Sequence, residues 1–141
     1  FVWLAEQADL LIVGPETAEG KHYARAEWIK AGAADVIRTG VGDVGGITPA
    51  MKCVHLCESF NMSVEIHGGG VGNLHVLCAM GIPGRYYERG LLHPFIDWEE
   101  VPAWLNKRDD PMDSEGFVHV SQDPGLGQDI NWDYINDNLV K

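Results

Sequence analysis

Short apolar segments recur along the chain at regular intervals. Four of them have the length and composition of strands, and they span residues 10–13, 35–39, 63–67 and 85–88. The three intervals between them contain segments with helical periodicity, at residues 24–33, 48–60 and 73–80. This alternation predicts βαβ units and a parallel sheet. It is compatible with half of a (β/α)₈ barrel or with an open doubly wound sheet. For the second helix, Thr48 is predicted as the N-cap, with Pro49 as the first helical residue.

The character of the chain changes near its two-thirds point. We place a boundary near residue 95, which gives βα units at residues 1–95 and a C-terminal segment at residues 96–141. In that segment, residues 117–120 predict one strand before a Pro-Gly turn, and residues 130–140 predict a short terminal helix. The chain begins with Phe1 and not with Met, so we expect it to be part of a longer protein.

The composition is that of a globular protein with an excess of acid. The 141 residues are enough for one domain with a core, and 45% of them are hydrophobic. Ten Lys and Arg against 21 Asp and Glu give a formal net charge of −11, which argues against a surface for nucleic acid or for an anionic membrane. No apolar segment has the length of a membrane span. The acidity is compatible with a divalent cation.

Three cysteines lie within apolar segments. Cys53, Cys57 and Cys78 form no even-numbered framework, so they predict reduced, buried thiols in an intracellular, hence cytoplasmic, protein. In the string CVHLC, a helix would place His55 about 200° away from the face with the two cysteines, which argues against a zinc site. His55 and His75 lie in apolar helical patterns and are interpreted as packing residues.

An ionisable side chain follows or ends each predicted strand. Glu16 and Glu19 follow the first strand, Asp43 follows the second, and His67 and Glu88 end the third and fourth. Ligands of parallel α/β folds bind beyond the carboxyl ends of the strands, an edge that we call the rim. Each of these side chains alone fits a solvated or structural residue. Their convergence on the rim predicts a hard-cation site or acid–base chemistry.

Four segments, in their order and spacing, resemble a known family. They are DVIRTGVGDVGGITPAMK, MSVEIHGGG, YYERGLLHP and DPGLG, and they are similar to the carboxy-terminal half of mandelate racemase-like members of the enolase superfamily, acid-sugar dehydratases in particular. The resemblance implies an α/β fold: the C-terminal half of a (β/α)₈ TIM-type barrel, with a C-terminal tail that packs on a capping domain. It also implies Mg²⁺ as the cofactor, a small acid sugar as the substrate, and a homo-oligomer for the full-length protein.

The resemblance implies a role for each candidate residue. Glu16 corresponds to a carboxylate ligand of Mg²⁺, with Glu19 as the fallback. His67 corresponds to the general acid–base group of catalysis. Glu88 corresponds to the residue that hydrogen-bonds the substrate carboxylate as it becomes an enediolate. The other substrate-binding candidates are Arg38 and Gly68.

One position departs from the family pattern. Gly40 stands where mandelate racemase-like sequences have an aspartate that pairs with the catalytic histidine. Glycine cannot orient an imidazole, so Asp43, three residues later, or a water would have to replace that aspartate as part of the catalytic set. A racemase depends on a strongly basic His–Asp pair, whereas a dehydratase uses histidine mainly to protonate a departing hydroxyl. The departure therefore favours a dehydratase.

The implied function is Mg²⁺-dependent abstraction of the α-proton of a sugar-acid carboxylate, followed by β-elimination of water. The alternatives are a racemase, epimerase or cycloisomerase of the same superfamily, and a non-catalytic barrel fragment. Two further metal carboxylates and a lysine base are expected upstream of Phe1. We therefore expect this part of the chain to be inactive and poorly soluble by itself, because half a barrel exposes strand edges and an apolar interior.

Overall fold

A computed structural model describes residues 1–82, 84, 86–89 and 100–140 of the chain. Short strands and helices alternate in its first half. The strands are β1 (Val13–Gly14), β2 (Val36–Thr39) and β3 (Ser63–Ile66). The helices are α1 (Val2–Gln7), α2 (Lys21–Ala31), α3 (Val41–Val44), α4 (Ile47–Ser59), α5 (Val71–Ala79) and α6 (Trp132–Asp137).

The three strands form one parallel sheet in the order β1-β2-β3. In its register, Arg38 pairs with Glu65 and Thr39 pairs with Ile66. Parallel strands need a crossover connection. Here α2 joins β1 to β2, and α3 and α4 join β2 to β3. The prediction of an α/β fold with a parallel sheet is confirmed.

The hydrophobic core lies between one face of this sheet and the helices. Ile37 of β2 and Val64 of β3 point into it and pack with Val54 of α4. Ile37 and Val54 are completely buried, and burying one large aliphatic side chain stabilises a fold by about 1.5–3 kcal/mol. Because side chains alternate across a strand, Arg38 and Glu65 lie on the opposite face. The core thus determines which side chains face away from the helices.

The first predicted strand is wrong in extent. The pattern predicts residues 10–13, whereas β1 contains only Val13 and Gly14. Leu10 and Leu11 are 75% and 74% exposed. Among the described residues, β1 pairs with β2 on one side, and that pairing begins only at Val13. The apolar composition of residues 10–13 predicts a strand, but the observed length of the strand depends on where β2 is available for pairing.

The fourth predicted strand is not formed in the described part of the chain. Tyr86, Tyr87 and Glu88 have irregular backbone, and residue 85 lies outside the described residues. No described strand pairs with this segment. The side chains of Tyr87 and Glu88 instead anchor it to neighbouring loops and to β2.

The predicted helices are confirmed, with different first residues. α4 begins at Ile47 with Gly46 as its N-cap, so Thr48 is not the cap but lies in the first turn with Pro49. Proline is tolerated there, because the N–H groups of the first turn have no partner within the helix. The helix predicted from residue 73 begins at Val71.

The C-terminal segment contains two isolated bridges and one helix among its described residues. The strand predicted at residues 117–120 is reduced to the single bridge between Met112 and Val118. The terminal helix is confirmed as α6, in which the Asn131 side chain accepts a hydrogen bond of 3.0 Å from the Tyr134 N–H. The boundary near residue 95 lies outside the described residues, and the division there stays a prediction. Among the helices of the described ranges, none combines the length and the hydrophobicity that a membrane span requires.

The cysteines occupy two environments. Cys53 and Cys57 are buried in α4 as predicted, and burial raises the pKa of the Cys53 thiol and raises the pKa of Cys57 to about 12. Cys78 and His55 are exposed, so the prediction that they are buried is wrong. Both lie on exposed faces of their helices. The apolar residues next to them in the sequence do not indicate which face of the helix is buried.

The three thiols are therefore expected to differ in reactivity. At about pH 8, iodoacetamide is expected to label Cys78 first and Cys57 last, because only the thiolate reacts and a thiol of such high pKa is almost fully protonated. Peptide mass spectrometry of the native full-length protein gives the order. A guanidinium-unfolded sample, in which all three should react alike, is the control. Labelling of Cys57 as fast as Cys78 in the native protein would contradict the buried placement.

Candidate active site

The carboxyl ends of the three strands bring charged side chains together at the rim. Glu16 follows β1 after one intervening residue, Arg38 is near the end of β2, and His67 directly follows β3. The parallel register aligns these ends. Neighbouring strands are about 4.8 Å apart, so side chains from successive strand ends can reach one another.

The Arg38 guanidinium is shared by three carboxylates. Its Nε is 2.9 Å from Glu16 Oε2, and its Nη1 donates to Glu65 Oε2 at 3.2 Å. Its Nη2 donates to the carboxylate of Glu88. The Arg38 side chain is only 20% exposed. Residues from the loop after β1, from β3 and from the segment after α5 thus meet at one cation. No sequence pattern predicts Glu65 as a member of the site.

These ion pairs organise the rim more than they stabilise the fold. The side chains of Glu16, Glu65 and Glu88 are each about half exposed, at 47%, 54% and 40%. Ion pairs at such exposure contribute about 0–1 kcal/mol each, less than one buried aliphatic side chain of the core. Their consequence is geometric: carboxylates that would repel one another point into the same space.

His67 is held between two carboxylates. Its Nδ1 is 2.9 Å from Asp43 Oδ2, and its Nε2 is 3.2 Å from Glu16 Oε1. The side chains of His67 and Asp43 are 25% and 15% exposed. An imidazole that donates one N–H to a carboxylate is fixed in orientation and presents its other nitrogen for proton transfer. Asp43 therefore contacts His67 directly.

Gly40 has no room for a side chain. A Cβ at this position would lie 2.6 Å from the His67 carbonyl oxygen and 2.8 Å from Asp43 Oδ2, and both distances are shorter than Cβ contacts in proteins. Asp43 extends from α3 into the space that the glycine leaves. The carboxylate that contacts His67 comes from position 43, and the glycine at position 40 is what admits it.

A glycine turn leads from His67 into α5. The His67 N–H donates to the Thr39 carbonyl at 2.7 Å, which ends the pairing of β3 with β2. Gly68 has a φ of +80°, in the left-handed region that favours glycine. Its carbonyl accepts a bond of 3.0 Å from the Asn73 side chain. Gly68 therefore has a conformational role here, and its contact with substrate stays a prediction.

Tyr87 ties the C-terminal segment to the glycine turn. Its hydroxyl accepts from the Gly70 N–H at 2.5 Å and donates to Asp110 Oδ2 at 2.8 Å. Burial and the hydrogen bond to Asp110 raise the pKa of Tyr87 well above its usual value. Asp110 is itself buried and pairs with Arg108. The turn after β3 is thus tied through Tyr87 to Asp110 of the C-terminal segment.

A cavity of about 630 Å³ lies at the β3 edge of the sheet, where it contacts Arg38 and Glu65 on one face and Val64 and Ile66 on the other. Its charged lining comes from Arg38, Glu65 and Glu88, and its apolar lining includes Leu11 and Tyr86. The His–Asp pair does not line it and is joined to it through the arginine and its ion pairs. A volume of this size is typical of sites for small molecules.

Arg25 of α2 is completely buried beneath the loop that carries Glu16. Its guanidinium donates to the carbonyls of Glu16 at 2.7 Å and Ala18 at 2.9 Å, and more distantly to the carbonyl of Arg38 at 3.4 Å. It therefore fixes the loop after β1 against β2. No pattern in the sequence marks this residue, because an arginine in an amphipathic helix is typical of a solvated face.

Most of the predicted site residues form one connected series of polar contacts. In order, they are Asp43, His67, Glu16, Arg38 and Glu88. Glu19 is exposed, and within the described ranges it makes no hydrogen bond or ion pair with this series. In the described part of the chain, no group of three or more His, Cys, Asp or Glu side chains is arranged to hold a metal ion. A metal site on this rim would need ligands beyond these residues.

Comparison with known proteins identifies relatives along almost the whole chain. A family model described as enolase C-terminal domain-like matches residues 1–134. A crystal structure of D-glucarate dehydratase from Agrobacterium tumefaciens, complexed with magnesium, is 54% identical in sequence and superposes with a TM-score of 0.92. That alignment covers 99% of this chain and 36% of the other.

Two curated proteins extend the comparison. The putative L-rhamnonate dehydratase of Caldivirga maquilingensis is 28% identical over 131 residues, which cover 87% of this chain and 32% of that protein. A D-galactonate dehydratase family member of Enterocloster bolteae is 30% identical over 115 residues, which cover 78% of this chain and 26% of that protein. The chain therefore spans about a third or less of the length of these curated relatives.

Replacing Gly40 with alanine is expected to displace Asp43 from His67. The added methyl would overlap both groups, so we expect a loss of about 1–3 kcal/mol in the free energy of unfolding, as is typical of overpacking. Denaturant unfolding of the full-length protein measures it.

The matched control is Gly42→Ala in α3. No atom lies within 4 Å of a Cβ built at Gly42, and alanine inside a helix is more stable than glycine by about 0.5–1 kcal/mol. Equal effects of the two substitutions would contradict the close approach at Gly40.

Proposed function

The chain belongs to the enolase C-terminal domain-like family, and we propose that its protein is a Mg²⁺-dependent acid-sugar dehydratase. The single observation that carries the choice of a dehydratase is the 54% sequence identity to D-glucarate dehydratase over 99% of this chain. The acid–base part of the proposal rests on His67, whose imidazole contacts Asp43 through one nitrogen and Glu16 through the other. The dehydratases named among the relatives support it. The proposed reaction removes the α-proton of a sugar-acid carboxylate and eliminates the β-hydroxyl as water.

In this proposal, His67 supplies the proton for the departing hydroxyl. Asp43 holds Nδ1 at 2.9 Å, and Nε2 lies 3.2 Å from Glu16 Oε1 at the rim. The proton moves from Nε2 to the hydroxyl oxygen as the C–O bond breaks. The electron pair of the former Cα–H bond becomes the new double bond, and the α-proton goes to a lysine base that the family resemblance puts elsewhere in the protein. A positioned acid–base group of this kind contributes about 10²–10⁴-fold to a rate.

Arg38 and Glu88 are the proposed contacts of the substrate carboxylate. Both line the cavity of about 630 Å³. The planar guanidinium presents N–H donors in a fork that matches a carboxylate. Because glutamates occupy that fork, a substrate carboxylate has to compete with Glu65 or Glu88 for Arg38. Binding therefore requires at least one of these ion pairs to open.

The donor chemistry of the rim fits a hard divalent cation. The carboxylates of Glu16, Asp43, Glu65 and Glu88 surround one guanidinium and one imidazole, so negative charge is in excess. Mg²⁺ prefers oxygen ligands and commonly uses one or two carboxylates together with water and substrate. Glu16 is the proposed ligand, and Glu19 is the fallback. When bound, Mg²⁺ supplies stabilisation of the negative charge that develops on the substrate carboxylate.

The sheet is proposed to be one arc of a (β/α)₈ barrel. Its strands are parallel, α4 and α5 contact one face, and the charged residues lie on the other, as in barrels whose site is at the carboxyl ends of the strands. The exposed Leu10 and Leu11 before β1 support this proposal, because exposed apolar side chains of this size are typical of a surface that another part of a protein covers. Residues 1–95 would belong to the barrel, and residues 96–141 would return to a capping domain.

A racemase or epimerase of the same family is the second candidate. The observation that favours it is the direct contact between His67 and Asp43 at 2.9 Å, because the family resemblance associates a His–Asp pair with racemases. Such an enzyme would exchange the α-proton and keep the hydroxyl, whereas a dehydratase would release a 2-keto acid.

His67→Asn in the full-length protein is expected to abolish dehydration. We expect kcat to fall by about 10²–10⁴-fold, because asparagine cannot deliver the proton. The assay measures 2-keto acid release from rhamnonate, galactonate and glucarate, with proton NMR in D₂O to detect exchange at Cα. His55→Asn is the matched control, because His55 is exposed on α4. Unchanged turnover in His67→Asn would end its catalytic assignment, and exchange without loss of hydroxyl would favour the racemase.

Removing the proposed metal ligand is expected to weaken metal binding. Glu16→Gln should raise the Kd for Mg²⁺ by more than about tenfold, since even indirect support of a metal site is worth 10–100-fold. Calorimetric titration of the metal-free full-length protein measures the Kd. Glu19→Gln is the control, because Glu19 has no contact with the rim series and should bind as the wild type does. A reversal of the two results would move the ligand to Glu19, and wild-type binding by both variants would contradict either assignment.

A further inference from the structure

Asn73 in α5 has an almost completely buried side chain with a partner for each polar atom. The residue is 8% exposed. Its Oδ1 accepts from the Val41 N–H at 2.7 Å. Its Nδ2 donates to three successive carbonyls, those of His67 at 2.8 Å, Gly68 at 3.0 Å and Gly69 at 3.1 Å. One amide therefore bonds two segments, the one that begins α3 and the turn after β3, and we call these segments the two loops.

Those two loops carry the His67–Asp43 pair. Val41 is the first residue of α3, which contains Asp43. The three carbonyls belong to the turn that starts at His67. The backbone bond from the His67 N–H to the Thr39 carbonyl already links the turn to the end of β2. The Asn73 amide is a second link, on the helix side of the turn.

We propose that Asn73 is a positioning residue for His67 and sets the separation of the imidazole from Asp43 by holding both loops. The Asn73 side chain does not bond to either ring nitrogen and does not line the cavity at Arg38. It therefore acts through the backbone of the two loops. The catalytic consequence rests on the proposed function, whereas the link between the loops does not.

The position requires a side chain that donates and accepts hydrogen bonds at the same time. An aspartate has nearly the same shape, but its carboxylate only accepts. It would keep an acceptor for the Val41 N–H and would turn a negative charge toward three carbonyl oxygens. Asn73→Asp therefore releases the turn at His67 and leaves the volume at the site almost unchanged.

The kinetic test uses Asn73→Asp in the full-length protein. We expect kcat to fall by about 10–100-fold, the range typical of lost support around a reacting group. We expect KM to stay within about threefold of the wild-type value. Arg38 and Glu88, the proposed contacts of the substrate carboxylate, keep their places, so substrate binding in the ground state is unchanged. A wild-type kcat would overturn the proposal.

The matched control is Asn138→Asp. The Asn138 side chain donates to the Tyr134 carbonyl at 2.8 Å at the end of α6. The same chemical change there removes one hydrogen bond in a helix that contributes no residue to the rim. We expect wild-type kcat and KM. A fall in kcat equal to that of Asn73→Asp would overturn the proposal, because the loss would then not be specific to the two loops.

Hydrogen–deuterium exchange separates positioning from a general loss of stability. Peptides covering residues 66–71 contain the N–H groups of His67 and Gly70, and their exchange is expected to rise by more than about threefold in Asn73→Asp. Peptides from residues 47–59 of α4 should exchange as in the wild type. No change at residues 66–71, or equal acceleration in α4, would overturn the proposal. If Asn73→Asp does not fold, Asn73→Ser, which keeps a single donor, is judged by the same two criteria.

Failure of this inference and failure of the proposed function give different results. If the wild type converts no acid sugar, the proposed function fails, and the exchange pattern alone decides whether Asn73 holds the turn. If the wild type is active and Asn73→Asp keeps its kcat, the positioning role fails and the proposed function stands.

Discussion

The ion pairs of Arg38 are the interaction on which the arrangement of the rim depends. One guanidinium gathers Glu16 from the loop after β1, Glu65 from β3 and Glu88 from the segment after α5. Carboxylates this close together would repel one another without a shared cation. Arg38 comes from the central strand, and its carbonyl accepts from the buried Arg25. The cation at the centre of the rim is therefore held in place by the central strand of the sheet.

One face of the sheet packs into the hydrophobic core and stabilises the fold, and the opposite face carries the charged residues of the candidate site. Apolar residues such as Ile37 and Val64 are packed against α4, where burial supplies the stabilisation. The opposite face and the rim carry half-exposed charges that contribute little to stability. Substitutions at the rim are for this reason expected to change chemistry before they change folding, except where, as at Gly40, the backbone of one loop touches the next.

Sequence patterns predicted the parts of the fold that depend on local order. The predicted bounds of β2 and β3 agree with the observed bounds to about one residue. The agreement follows because short segments rich in β-branched residues alternate regularly with helical segments. The extent of β1 could not be found, since Leu10 and Leu11 have the composition of a strand and lack a pairing partner among the described residues. The same reason applies to Tyr86, whose segment forms no described strand.

Candidate chemistry was predictable where it depended on strand ends, and not where it depended on backbone contacts between loops. Glu16, His67 and Glu88 were recognised from their positions after apolar segments, and Asp43 was one of two choices to replace the missing partner of His67. Arg25 acts on the carbonyls of distant residues. The periodicity of side chains along the chain does not indicate such contacts, so it does not predict buried polar residues in helices.

The central claim is that His67 and Glu16 face a common metal and substrate site. Its most direct measurement is a crystal structure of the full-length protein soaked with Mn²⁺ as a substitute for Mg²⁺, with anomalous scattering to locate the ion. We expect an anomalous peak in direct contact with the Glu16 carboxylate, with His67 still paired to Asp43 and its Nε2 turned to the same side. A peak away from Glu16, or an imidazole turned from the ion into the aliphatic core, would contradict it.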